Sequence, residues 1–207
     1  MKGLLLKDWY MMKKYCRANF FVVILFIILS CISTENIFLI FYPSLMCGMI
    51  PVNLLAYDER SRWMHYSGTL PYTRAQLVSA KYLIGLISQV VVFLVTGIVQ
   101  GVRMYIIGQF HPEQLTVLLM TLLMLAFASS GICLPFVFKL GVEKGRIAYY
   151  GMVGIVCAGS FLVSNFLENT QNSFTANLPL IFLFLFILCF YGFSWYLSIL
   201  FFQKREL

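Results

Sequence analysis

Apolar runs of about twenty residues recur along this chain, and each is long enough to cross a hydrocarbon core roughly 30 Å thick. In lipid the backbone must satisfy its own hydrogen bonds, so spanning segments are helices or closed barrels. The runs here are continuously apolar rather than alternating, which argues for helices. Only 11% of the 207 residues are charged, against about 25% in a soluble domain. The pattern predicts an all-α membrane protein with six transmembrane helices, at about 18–34, 37–57, 82–107, 114–138, 147–166 and 179–202. The first is the shortest, and Pro43, Pro51 and Pro135 are expected to kink spans two and four.

The net charge of +7 could indicate nucleic acid, but its distribution points to a membrane. Lys2, Lys7, Lys13, Lys14 and Arg17 precede span one. Arg60, Arg62, Arg74 and Lys81 lie between spans two and three. Lys139, Lys144 and Arg146 separate spans four and five, and Lys204 and Arg205 follow span six. Fourteen of the 15 basic residues thus fall on one side, with Arg103 near the other. The positive-inside bias makes the rich side cytoplasmic and places both termini there. Ile28-Leu29-Ser30-Cys31 loosely resembles a lipoprotein cleavage site. Cleavage there would remove span one and break the charge alternation, so it is not expected. The six cysteines sit in or beside spans without a CxxC pair, as small packing residues do.

Residues 1–17 fit an amphipathic helix lying in the membrane interface. Its five basic groups share one arc, and Leu4, Leu5, Trp9, Met11, Met12, Tyr15 and Cys16 take the other. Trp9 is expected at the membrane boundary. Asp8 falls within the apolar arc, where a carboxylate needs a partner, so a basic residue from another cytoplasmic segment is expected to pair with it.

Between spans two and three lies a charged, aromatic island, YDERSRWMHYSGTLPYTRAQLVSAKY, residues 57–82. Asp58 and Arg62 are spaced i,i+4, as are Arg62 and Tyr66, which suits a short helix. Gly68 is a plausible stop, and Leu70-Pro71 resists continuation. Thr73-x-x-Gln76 reads as a capping box opening a second helix that runs into span three. Trp63, Tyr66, Leu70 and Tyr72 are more apolar surface than a free loop should expose.

Span three carries a polar stripe, Gln89, Thr96, Gln100 and Arg103, within about 60° on a helix. Two readings stand: the lining of a transport pathway, or hydrogen bonding between helices. Gly97 and Gly101 form a GxxxG pair, and Gly154 with Ala158 a small-xxx-small pair; both permit close helix approach.

No Walker A, HExxH, GxSxG or strand-borne GxGxxG pattern is present, so the chain is not expected to be an enzyme or to bind a cofactor itself. His65 and His111 fall on opposite sides of the predicted membrane and cannot share a metal. The acidic pair Asp58-Glu59 reads as a solvated, salt-bridged helix end rather than a cation site.

The start, MKGLLLKDWYMMKK, and the island, with Asp58-Glu59, Trp63, Tyr66, Leu70-Pro71, Arg74 and Lys81-Tyr82, resemble the membrane subunits of ABC transporters of the ABC-2 permease group. The chain is similar in particular to the small six-span permeases of phenol-soluble modulin exporters. The resemblance implies a permease subunit of a bacterial cell-membrane exporter, paired with a second permease copy in a homodimer or heterodimer. It implies that residues 1–17 form an interfacial elbow, ahead of one six-helix transmembrane domain from 18 to 207. It implies a coupling helix within 58–81 that docks a cytoplasmic ATPase subunit through Asp58, Glu59, Arg60, Arg62, Trp63, Tyr66, Leu70, Pro71 and Arg74. ATP and magnesium would reside on that ATPase, and the substrate would be an amphipathic or antimicrobial peptide. The alternative is a membrane sensor or scaffold that binds another cytoplasmic partner through the same loop.

Overall fold

The computed structural model describes residues 2–32, 37–67, 69, 71–108, 112–147, 149–151, 153–154 and 177–204. Among them the regular structure is all helical: α1 (Lys2–Tyr15), α2 (Arg17–Ile32), α3 (Ile37–Gly48), α4 (Ile50–Arg60), α5 (Trp63–Ser67), α6 (Arg74–Ile107), α7 (Pro112–Leu140) and α8 (Asn177–Lys204). Residues 142–147 form a further short helix. Four helical segments are long and apolar enough to cross a membrane: Leu39–Arg60, Arg74–Ile107, Pro112–Leu140 and Phe184–Gln203. A fifth arises if α1 and α2, bent by 68° at Cys16, count as one span. The predicted fifth span, 147–166, lies mostly outside the described residues, as does the partner Ala158 of its small-residue pair.

The helices are amphipathic in the inverted sense that lipid favours. On α6, Ile87, Val91, Leu94, Val95, Ile98 and Val102 are exposed, whereas Lys81, Ser88, Gln89, Thr96 and Gln100 are buried. Polar atoms face protein because hydrocarbon offers them no partner. One buried cluster gathers Leu45, Val52, Tyr82, Leu134, Val137, Tyr149, Tyr191 and Phe202. A second joins α1 and α2 to the bundle through Met12, Cys16, Val23, Ile27, Cys47, Leu54 and Ile84.

Proline and glycine set the close contacts. Pro51 opens α4 after a break at Met49, while Pro43 and Pro135 sit inside α3 and α7. The GxxxG face of α6 meets α7: a Cβ on Gly97 would come 2.9 Å from Leu119, and one on Gly101 4.0 Å from Leu115. At the basic end of the bundle, Gly145 presses its Cα against α7. A Cβ there would overlap the Val137 side chain and come within 3.0 Å of the Val137 Cα.

Because a backbone atom cannot rotate aside, Gly145→Ala should lower stability by about 1–3 kcal/mol, the usual cost of overpacking. Gly192→Ala, whose Cβ meets nothing within 4 Å, should not. The fraction of detergent-purified protein that stays monodisperse after graded heating measures both.

Candidate functional site

Four charges close a ring at the basic end of the bundle. Asp8 on α1 is 1% exposed, Asp58 on α4 2% and Lys81 on α6 5%. Lys81 Nζ donates to Asp8 Oδ1 at 2.7 Å and lies 2.6 Å from Asp58 Oδ2. Lys7 Nζ donates to Asp58 Oδ1 at 2.8 Å and lies 3.3 Å from Asp8 Oδ1. Acid and base alternate around the ring, and the sum of charge is zero. Each ion removed from water costs several kcal/mol, offset only when its neighbours are opposite in charge and close. The ring meets both conditions, and the outer face of the Lys7 ammonium rests on the Trp63 ring, 4.3 Å from its centroid.

Local chain geometry delivers each member. On α1, Leu4, Asp8 and Met12 recur every four residues and turn inward together, so the acidic break in the apolar arc points at protein. Asp8 is expected to pair with a basic residue from another segment, and that residue is Lys81. Its neighbour Tyr82, 100° further round α6, faces α8 instead. There its hydroxyl bonds Ser194 at 2.9 Å and Ser198 at 2.7 Å, and its ring stacks on Trp195 at 5.3 Å. The Lys81-Tyr82 pair therefore joins α6 to two different sides of the bundle.

The segment from Asp58 to Arg74 is tied to α1, α6, α8 and the 142–147 helix. Glu59 Oε2 accepts the Val142 N–H at 3.3 Å, at the start of the 142–147 helix. Arg74 Nη1 donates to the last carbonyls of α8, Gln203 O at 2.8 Å and Phe202 O at 3.3 Å. Tyr72 places its hydroxyl beside Gly3 of α1. The capping box forms as expected: Gln76 N donates to Thr73 Oγ1 at 3.3 Å, and Thr73 N to Gln76 Oε1 at 3.2 Å. Between these anchors α4 stops at Arg60, and Arg62 takes φ +53°, a left-handed conformation that turns the chain into α5 at a cost of order 1–3 kcal/mol. The expected short helix is thus interrupted at residues 61–62, and its second part, α5, ends at Ser67, beside the expected stop at Gly68.

The predicted docking residues divide accordingly. Arg60, Arg62, Tyr66 and Pro71 are exposed, and Trp63 is half-buried under Lys7. Asp58, Glu59 and Arg74 spend polar atoms on the chain itself. Asp58 is not part of a solvated helix end: it is the buried bridge between two lysines, because burying Leu54 and Leu55 one turn earlier carries it inside. Leu70, Gly68 and His111, and the side chain of His65, lie outside the described residues. Trp9 sits at the outer surface of α1, with Lys13 Nζ 5.4 Å from its ring.

The stripe of α6 runs between helices. Gln89 Nε2 donates to Ala126 O at 2.6 Å and Ser129 Oγ at 3.3 Å, and Ser130 donates to Gln89 Oε1 at 3.4 Å. Gln100 Nε2 donates to Ser30 Oγ of α2 at 3.1 Å, Thr96 bonds back to Val92 O at 2.8 Å, and Arg103 donates to Gln100 Oε1 at 3.3 Å. Gln89 and Gln100 thus bond neighbouring helices, whereas Thr96 and Arg103 bond within α6. Among the described residues no group of three or more His, Cys, Asp or Glu could hold a metal ion. Burial at the bend between α1 and α2 pushes the Cys16 thiol up to about 11, so it packs as a neutral, unreactive group.

The geometry defines a multi-pass helical membrane protein with a cross-braced polar segment at one end. The family described as "ABC-2 family transporter protein" matches residues 3–203. The chain belongs to that family, which makes it a membrane component of a transporter, an ABC-2 type permease. Comparison with curated proteins and with solved structures gave no match.

Asp58→Asn leaves two ammonium groups facing one carboxylate and should cost about 3–5 kcal/mol, the penalty for an uncompensated buried charge. Removing one acid and one base together, as Asp8→Leu with Lys81→Leu, should recover much of that loss. Thermal midpoints of the two purified variants against the wild type read the difference.

Proposed function

We propose that this ABC-2 permease is the membrane-spanning subunit of an exporter whose ATPase is a separate cytoplasmic chain, and that the turn from Arg60 to Pro71 is the docking element. The observation that carries this reading is the division of the longer segment from Asp58 to Arg74 that contains this turn. Its inward residues are locked by short polar contacts to α1, α6, the 142–147 helix and the end of α8, while Arg60, Arg62 and Tyr66 face outward. A push on the exposed tip would reach four separate parts of the bundle with little slack, which a coupling element requires.

The remaining parts of the proposal follow from loop charge and family resemblance. Six spans with both termini in the cytoplasm satisfy the positive-inside bias, with α1 as an interfacial elbow meeting α2 at 68°. Two copies, identical or not, would build the pathway. ATP and magnesium would sit on the partner, the location would be a bacterial cell membrane, and the cargo would be an amphipathic peptide.

Two measurements bear on this. Tyr66→Asp, or Arg60→Glu with Arg62→Glu, should abolish the effect of the permease on hydrolysis by the ATPase that co-purifies with it, while the thermal midpoint stays unchanged. Unaltered hydrolysis by either variant would remove the docking assignment and favour a sensor or scaffold. Single cysteines placed at Lys14 and Arg62 should react with a membrane-impermeant maleimide only after the cells are opened. Reaction in intact cells would reverse the topology.

A further inference from the structure

A groove of about 280 Å³ opens on the surface of the bundle between α7 and α8. Its floor is made of small residues, Gly131 and Ser194, and its walls include Phe136, Phe190, Phe193, Leu197 and Phe201. The hydroxyl of the floor is already engaged within the protein. Ser194 Oγ donates to Gly131 O and also bonds the Tyr82 hydroxyl at 2.9 Å. Among the described residues lining the groove, the one charge is Lys139, at its basic end, where the ammonium lies 5.1 Å from the centre of the Phe201 ring and the residue is exposed.

The dimensions restrict the occupant. From Gly131 to Lys139 the groove follows α7 for about 12 Å at 1.5 Å per residue, close to half of a hydrocarbon core roughly 30 Å thick. A single hydrocarbon chain can lie along a groove of that length. A long apolar slot with one cation at its interfacial end is complementary to an anionic amphiphile whose tail lies along the helices and whose head meets the snorkelling lysine.

We propose that the α7–α8 groove binds one acyl chain of an anionic phospholipid from the leaflet at the basic end, with Lys139 holding its phosphate. The site stands apart from the docking segment, so it does not depend on the role given to residues 60–71. Full-length protein is reconstituted in phosphatidylcholine vesicles doped with a phosphatidylglycerol that carries a photoactivatable tail, then irradiated and mapped by peptide mass spectrometry. Labelling is expected on Ile132, Phe136, Phe193 or Leu197. Lys139→Gln should lower it about fivefold, the factor that one basic group contributes at an anionic surface. Leu197→Trp, which fills the slot, should abolish it without lowering the thermal midpoint. A photoactivatable phosphatidylcholine should label the wild type as weakly as phosphatidylglycerol labels the Lys139→Gln variant. Equal labelling by both lipids, labelling spread over all lipid-facing helices, or a Phe193→Cys disulfide joining two copies would each overturn the proposal.

Discussion

The ring of Lys7, Asp8, Asp58 and Lys81 is the interaction on which the arrangement of the basic end depends. Hydrophobic burial gives lipid-embedded helices little reason to choose one neighbour over another, since lipid tails are as apolar as the core. Charge restores that choice. Four ions with short alternating contacts have one satisfactory arrangement, and it requires α1, α4 and α6 to meet at one level. A rotation of any of these helices by one residue would leave a buried ion facing hydrocarbon. The apolar contacts around it, from Leu4, Leu55 and Phe202, exclude water and strengthen the ring, but they would tolerate other registers.

The same logic extends along the bundle with weaker groups. Tyr82 and Ser79 pin α8 to α6, the latter through Trp195 Nε1 at 3.1 Å. Gln89 pins α7, and Gln100 pins α2. One helix therefore carries a separate polar address for most of its neighbours, spaced at intervals along its length. The packing glycines then set how closely each neighbour approaches.

Much of this was legible in the sequence, for identifiable reasons. The apolar runs fixed the helical class because hydrocarbon length is a hard constraint, and Thr73-x-x-Gln76 located the start of α6 because a capping box is a local interaction. Asp8 declared itself by sitting on the wrong arc. Which lysine would meet it was not readable, because Lys81 is separated from it by 73 residues and nothing local links them. A signal existed nonetheless: Lys81 falls in the same half of α6 as the buried glutamines, an unusual place for a lysine with water close by. Asp58 was misjudged for a related reason. Its spacing to Arg62 suggested a surface pair, but the helix ends before Arg62 and the chain turns left-handed, so the two never align. The anchoring of Arg74 on the last carbonyls of α8 is likewise a long-range contact with a helix end, invisible to any window of sequence.

The capping box gives α6 a property beyond a well-defined start. The helix runs unbroken for 34 residues, about 51 Å at 1.5 Å per residue, and so extends well past the roughly 30 Å that lipid demands. Its first two turns carry Arg74 and Lys81, and its last turn ends at Gly108 in a left-handed cap. Such a rod acts as a lever. A tilt of about 5° imposed at one end moves the other by roughly 4 Å, most of a helical pitch, without breaking a backbone hydrogen bond. A displacement too small to disturb the ionic ring at the fulcrum can therefore become one large enough to shift side chains past each other at the opposite face.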